Sequence, residues 1–514
     1  MEYEKPLTFH ETGIPGLILI DLAVHGDSRG WFKENWQREK MLKLGLPDFC
    51  PVQNNVSYNV DRGVTRGIHA EPWDKFISIG DGSIFGVWVD LRPGETYGKM
   101  FTCTLDPSKA IFVPRGVGNA YQALEDNTVY TYLVNAHWSA ERKSEYTFVN
   151  LTDPTLAIKW PIPLEESIRS EADLHHPFLQ DATPMEPLHV LVTGANGQLG
   201  RALQQLAKER GFSNWDFFDA SHLDITNPAA LETIDWDGYS TIINAAAYTA
   251  VDKAETPEGR LAAWKVNVCG VANLARIATE HRLALVHISS DYVFDGRQVL
   301  HTEDEPFSPL GVYGQTKAAA DAIVATVPRH FICRTSWVVG DGKNFVRTMA
   351  QLAERCKSPE DEPSHLDHVT VVNDQIGRLT FADELARVIV HLLGMGEEPV
   401  AGATYDPLRN CVHAPWGTYN VTCDGKEMSW ADIARAIFAH LGASEEDVVG
   451  VASEKYFHWG TYGYDNYGNK TAPASPRPQH STLALAKLEA TGFKPKDALQ
   501  ALADYLGKDQ FANV

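Results

Sequence analysis

The chain has 514 residues, 44% of them hydrophobic and 22% charged, with a formal net charge of −22 at pH 7. That length suits two or three separately cored domains. The mean field repels polyanions, so no nucleic acid and no anionic membrane surface is expected as a partner, whereas a small anionic substrate can still be held by local cations or helix N-termini. Seven scattered cysteines without a CxxC pair make neither a disulfide framework nor a zinc signature. No apolar run approaches the roughly 20 residues of a membrane helix, and the first residues lack the basic and apolar regions of a signal peptide. A soluble, cytoplasmic setting is expected.

Taken in chain order, the first predicted elements are strands. Phe85–Leu91 alternates with period 2, and Lys109–Pro114 and Thr128–Val134 are β-rich runs between turn signals, which predicts an all-β sandwich or barrel. Pro161–Pro187, rich in Pro, Glu, Asp and His, reads as a domain tail and linker. The rhythm changes at His189. Val190–Thr193 is a short apolar strand that runs into glycines, and Leu199, Leu203, Leu206 and Ala207 then share one helical face. Apolar strands recur at Thr241–Asn244, Leu283–Ile288 and Phe331–Arg334 between helical stretches, which predicts a doubly wound parallel sheet.

The second half carries a cofactor loop and a catalytic set. Gly194, Gly197 and Gly200 form GxxGxxG between a strand and a helix. Glycines there let backbone N–H groups approach a pyrophosphate at a helix N-terminus, although the same triplet also occurs in plain turns. Tyr313 and Lys317 stand four apart, on one helix face, where a nearby cation lowers a phenol from its reference pKa of about 10. Ser290, at a strand end, can steady a carbonyl oxygen.

In this order the motifs resemble the extended short-chain dehydrogenase/reductase family. With Asn244–Glu255, Ser289–Phe294, Arg334–Val338, Asn344, Phe345, Asn373–Gly377, Arg477 and Pro478, the chain from 188 to 510 looks like dTDP-4-dehydrorhamnose reductase. The resemblance implies a Rossmann domain with a smaller substrate-binding lobe. It implies reduction of a C4 ketone with NADPH (or NADH) by residues matching Ser290, Tyr313 and Lys317, and sugar contacts at Trp337 and Arg477. Dinucleotide contacts fall at Gly194, Asn196, Gly197, Gln198, Leu199, Gly200, Asp224, Ile225, Ala245, Ala246 and Ala247, together with Tyr313 and Lys317. Magnesium-binding relatives carry a glutamate where this chain has Ala202, so no metal is expected. Asp219 can bind a ribose hydroxyl and Arg201 a 2′-phosphate, which leaves NADH and NADPH both open. The aromatic stretch Trp459–Tyr467 reads as a packed surface loop or a nucleobase platform.

In the first half the informative run is Arg66, Gly67, Ile68 and His69, followed by Lys75. Asp27, Arg29, Phe32, Glu34, Gln53 and Asn55 precede it, and Phe112–Gly116, Tyr130, Tyr132, His137–Ser139, Trp160, Ser170 and Asp173 follow. The set looks like dTDP-4-dehydrorhamnose 3,5-epimerase, which implies a cupin-type jelly roll. By position His69 is then the base, oriented by Asp173, and Tyr132 the acid on the opposite face. Lys75 and Arg66 stabilise negative charge, and Arg29, Phe32, Glu34, Gln53 and Asn55 belong to the substrate pocket. Asn119 stands where the family usually has histidine, and His137 where it usually has tyrosine. Protons α to a ketone leave an enolate that needs a cation or donor, and an imidazole suits a base at neutral pH. The expected domains are an epimerase-like jelly roll (1–182), a linker (183–187) and a reductase (188–514). They imply a dTDP-sugar as substrate, two consecutive reactions on one chain, and a homodimer.

Overall fold

The computed structural model describes residues 2–406, 409, 411–457 and 474–507, so Trp459–Tyr467 lies outside the described residues. The chain divides into two compact units, 1–188 with 404–412, and 189–403 with 413–514. Residues 404–412 were expected in the second half but cluster with the first unit, where Arg92 donates to the Tyr405 hydroxyl at 3.0 Å.

Thirteen strands of the first unit matter here. They are β1 (Thr8–Glu11), β2 (Ile18–Asp21), β3 (Val24–Asp27), β4 (Gly30–Lys33), β5 (Gln53–Asn59), β6 (Thr65–Ala70) and β7 (Lys75–Asp81), then β8 (Ile84–Asp90), β9 (Met100–Leu105), β10 (Lys109–Val113), β11 (Val117–Ala123), β12 (Thr128–Val134) and β13 (Thr147–Phe148). One sheet runs β1-β2-β10-β7-β12-β5 and the other β13-β6-β11-β8-β9, while β3 and β4 form a separate hairpin. Ile77, Ile79, Ile111 and Tyr130 of the first sheet meet Ile84, Trp88, Leu105 and Tyr121 of the second in one core. This is the double-sheet layout expected of a jelly roll.

Both sheets are also covered outside. Met41, Leu46 and Phe49 pack on Phe76 and Phe112, and Val149, Leu151, Leu164, Leu179 and Met185 pack on Ile68, Val87 and Val89. Residues 75–79 of β7 are therefore buried in succession, and the alternation near Phe85–Leu91 marks two packed faces rather than one wet one. Met185, expected in a linker, is buried, and its N–H donates to Leu91 O at 2.8 Å.

The second unit is built on β14 (His189–Thr193), β15 (Trp215–Phe218), β16 (Tyr239–Asn244), β17 (Ala284–Ser290), β18 (His330–Thr335) and β19 (Gly417–Asn420). They pair in parallel in the order β15-β14-β16-β17-β18-β19. Helices α1 (Gln198–Arg210), α2 (Val271–Glu280), α3 (Val312–Val324), α4 (Phe345–Lys357), α5 (Ala382–Leu392), α6 (Trp430–His440) and α7 (Ala498–Leu506) surround the sheet or form a second core. Leu199 and Leu203 of α1 pack with Leu385 and Ile389 of α5 on one side, and Leu274 and Ile277 of α2 with Ala320 and Val324 of α3 on the other. The smaller lobe has its own core of Val346, Met349, Ile433, Phe438 and Leu502. Strand order reverses at β14, so a crevice opens between the carboxyl ends of β14 and β16, where doubly wound sheets bind ligands.

Trp88 is 1% exposed at the centre of the sandwich. Trp88→Ala should cost the first unit about 3–5 kcal/mol through lost transfer energy and the cavity left behind. Calorimetry should show one unfolding transition moving down while the other stays in place.

Candidate active sites

In the first unit a bulge builds the site. On β11, Asn119 and Tyr121 lie two apart and share a face, and they pair with His69 and Arg66, which lie three apart on β6. The extra residue on β6 turns His69 and Arg66 to the same side. Gly67 sits in that bulge at φ +110, and a Cβ there would lie 2.5 Å from Asn119 O. Only glycine admits this approach.

His69 Nε2 lies 3.0 Å from Asp173 Oδ1. Burial would raise the Asp173 carboxyl, but the hydrogen bond and charge of His69 hold it below the usual range. An ionised Asp173 accepts from Nε2–H, which leaves Nδ1 of His69 as the basic nitrogen. From the facing sheet, Lys75 Nζ donates to Asn119 Oδ1 at 2.6 Å and stands 5.7 Å from the Tyr132 ring centroid. Lys75 thus links the His69 row to the Tyr132 row, in which Tyr132 pairs with Asn55. Burial pushes the Lys75 ammonium down to about 7, while the Glu71 carboxylate paired with it favours the charged form. Burial raises the Tyr132 phenol.

A cavity of about 360 Å³ opens beside Arg66, His69, Tyr146, Phe148 and Asp173. His176, which no sequence pattern marks, also lines it, stacked on Phe148 at 4.5 Å with Nε2 3.3 Å from Asp173 Oδ1. A histidine in a polar tail gives no periodic signal. Gln53 donates to Asn55 Oδ1 at 2.7 Å and accepts from the Trp138 N–H at 3.1 Å. Of the expected substrate residues Arg66 lines this cavity, whereas Gln53, Asn55, Lys75 and Asn119, like the expected acid Tyr132, are not among its lining residues, and neither are three more on or beside the hairpin. Arg29 is paired with Asp27 at the hairpin tip, Phe32 is 66% exposed, and Glu34 pairs with Lys40. The reason is that β3 and β4 leave the sandwich as a ribbon of their own.

In the second unit a cavity of about 580 Å³ lies at the strand-order reversal, lined by Gly194, Asn196, Gly197, Asp219, Asp224 and Ile225 and by the loop Ala245–Ala247. Its floor fits a dinucleotide pyrophosphate. A Cβ on Gly194 would lie 2.6 Å from the Ala246 nitrogen, and one on Gly200 2.3 Å from Gly194 O, so backbone N–H groups rather than side chains form the cradle. The side chains of Gln198 and Leu199, expected at the dinucleotide, do not line this cavity. The Gln198 side chain accepts from the Gly340 N–H at 2.6 Å, and Leu199 is buried in the core. Arg201 is turned to the carbonyls of Asn196 and Asp341 and lines a different cavity. Asp219 accepts from Asn196 at 2.6 Å, and hydrogen bonds from Ser221 and His222 hold it well below the usual carboxylate range.

The candidate reacting groups of this unit are Ser290 at the end of β17 and Tyr313 and Lys317 on α3. Ser290 donates to Asp291 Oδ1 at 2.9 Å. Burial, then the Asp291 charge, pushes the Tyr313 phenol up to about 12, against a hydrogen bond with Ser290. The four-residue spacing predicts that Lys317 lowers that phenol, which the structure does not bear out. Instead Lys317 donates to Ile288 O at 2.5 Å and lies near His287, and burial brings its own ammonium down to about 8. Trp337, at φ +49, stacks on Trp430 at 3.9 Å, and Trp430 meets Phe345 at 4.5 Å. Trp430 was not singled out, since a tryptophan opening an amphipathic helix reads as core. Arg477 donates to Asp252 at 2.9 Å and lies 4.4 Å above the Phe457 ring.

Residues 188–511 match the family model for the RmlD substrate binding domain, and residues 11–181 that for dTDP-4-dehydrorhamnose 3,5-epimerase. The "Protein RmlC homolog" of Streptococcus pyogenes serotype M6 is 49% identical over 36% of this chain and 96% of its own length. The chain belongs to both families. The dTDP-4-dehydrorhamnose reductase of Aggregatibacter actinomycetemcomitans is 36% identical over 61% of this chain and 96% of its own. The crystal structure of the Bacillus anthracis reductase, in complex with NADP, is 29% identical and covers 62% of this chain and 98% of its own, with a TM-score of 0.50. The second unit thus belongs with nicotinamide-dependent reductases. Among the described residues no helix is long and apolar enough to cross a membrane.

Gly200→Ala tests the cradle. Overpacking against a backbone carbonyl costs about 1–3 kcal/mol, so the Kd for dinucleotide should rise about ten- to hundredfold. Tryptophan-fluorescence titration reads this without turnover.

Proposed function

We propose that the chain is a bifunctional enzyme of dTDP-L-rhamnose biosynthesis. The first unit epimerises dTDP-4-keto-6-deoxy-glucose at C3 and C5, and the second reduces the C4 ketone. One observation supports this reading: each unit has acid–base groups of its own, His69 on Asp173 and Lys75 over Tyr132 in one, and Ser290 with Tyr313 and the buried Lys317 in the other.

In the first reaction His69 Nδ1 takes the proton α to the ketone. Lys75 and Arg66 stabilise the enolate oxygen. Tyr132, raised by burial, stays protonated at neutral pH and returns a proton from the opposite sheet. Asn119 does not titrate; it anchors Lys75. In the second reaction the bound dinucleotide supplies hydride. Ser290 and Tyr313 hold the carbonyl oxygen, and the high phenol pKa keeps on Tyr313 the proton that the product hydroxyl needs. Trp337, braced by Trp430, and Arg477 hold the sugar nucleotide.

Three finer points have support. The Asp219 carboxylate stands in the dinucleotide cavity and Arg201 does not line it, which favours an unphosphorylated ribose and hence NADH. A homodimer accounts for the edge strand β5, where Val56 and Tyr58 are 63% and 54% exposed, and gives Arg29, Phe32 and Glu34 on the hairpin a partner's cavity to complete. Seven free thiols suit the reducing cytoplasm.

His69→Ala should abolish solvent-deuterium incorporation into the keto-sugar while the reduction of pre-epimerised substrate survives. Tyr313→Phe should do the reverse. Loss of both activities from either change in a folded chain would contradict two independent sites. Asp219→Ala should improve NADPH relative to NADH by about tenfold in Kd, the loss of roughly one ionic hydrogen bond and one repulsion. An unchanged ratio would remove Asp219 from the selection.

A further inference from the structure

We propose that His287 is a positioning residue for Lys317, with its tautomer dictated by a row of buried hydrogen bonds that starts at the dinucleotide loops. The proposal rests on the reductase reading, in which Lys317 serves the hydride-accepting site. Parallel register places Thr193, Asn244 and His287 side by side on β14, β16 and β17, so their side chains form one row on one face. Thr193 directly precedes Gly194, and Asn244 directly precedes Ala245; both loops line the dinucleotide cavity.

The row has a polarity. The Ala246 N–H donates to Thr193 Oγ1 at 3.4 Å, so the hydroxyl proton goes on to Asn244 Oδ1 at 2.7 Å. Asn244 then turns its NH₂ to His287 Nδ1 at 3.2 Å. His287 is 1% exposed, and burial followed by the charge of Lys317 keeps its imidazole neutral. A neutral ring that accepts at Nδ1 carries its proton on Nε2. That nitrogen lies 3.5 Å from Lys317 Nζ. An N–H aimed at the amine favours the uncharged form, which can accept, over the ammonium, which cannot.

Of the other charged groups around the amine, Asp321 favours the ammonium and so opposes burial and the His287 N–H. Asp321 lies one turn on along α3 and is tied to Arg334 of β18 at 2.9 Å. Tyr313 lies one turn back, with its phenol raised, and Asp291, pushed up to about 6 by burial, acts on Tyr313. Reduction should therefore lose rate as pH rises through the lowered Lys317 titration near 8.

The test combines ¹⁵N-imidazole NMR with pH profiles on the full chain. The His287 signal, assigned by its loss in His287→Gln, should show a bare Nδ1 and a protonated Nε2. Asn244→Asp offers an acceptor instead of a donor, so it should swap the tautomer and move the alkaline limb of kcat up by about one pH unit. Adding His287→Gln to Asn244→Asp should return the limb to its place in His287→Gln alone. An Nδ1–H tautomer in the unaltered chain, or an undiminished limb shift in the double variant, would overturn the proposal. If Asn244→Asp fails to fold, Thr193→Val, which removes the hydroxyl that orients Asn244, should give a mixture of tautomers; a single tautomer there would also overturn it. Failure of the unaltered chain to oxidise NAD(P)H on a 4-keto-sugar nucleotide would instead count against the reductase reading, since the tautomer is read without turnover.

Discussion

Two backbones that approach more closely than a Cβ allows create each site. In the first unit the approach is at Gly67, where β6 bulges against Asn119 and Ala120. In the second it is at Gly194 and Gly200, where the turn after β14 folds under the start of α1 and against the loop after β16. Remove the room at these points and His69 loses its face, or the pyrophosphate its cradle. The sheets around them are ordinary close-packed cores, and their rigidity holds the glycine contacts in place.

Desolvation does the rest of the tuning. Each site contains a lysine brought towards neutrality by burial, Lys75 to about 7 and Lys317 to about 8. Each also contains a phenol raised above its usual range, Tyr132 and Tyr313. The pairing suits carbonyl chemistry, because an amine near its titration point and a phenol that keeps its proton can exchange charge with an oxygen at little energetic distance. The environments differ in the third partner. Asp173 holds the first site's histidine by an ionic hydrogen bond, whereas His287 in the second is neutral and reads a row of amide and hydroxyl groups.

Much of this was legible in the chain. The strand runs at Lys109–Pro114 and Thr128–Val134, the strand–glycine–helix sequence at Val190–Leu203, and the spacing of Tyr313 and Lys317 are local patterns, and local patterns survive folding because they are set by backbone period and turn sterics. Less legible was the burial of β7 and β8, since both faces of each sheet are covered by segments far away in sequence. Trp430 and His176 are illegible for a related reason: nothing near them in the chain marks what they touch.

The sequence by itself determined the two architectures, the order of their motifs and the residue types able to move protons beside a ketone. Tertiary structure alone decided that Arg66 and His69 face the same way, that Lys75 spans two sheets to reach Asn119, that Lys317 turns to Ile288 and His287 instead of lowering Tyr313, and that Arg29, Phe32 and Glu34 leave their own chain's cavity. The physical reason is common to all four. Each depends on a bulge, a register or a desolvated contact between segments distant in the chain, and such relations carry no period that a linear reading can detect.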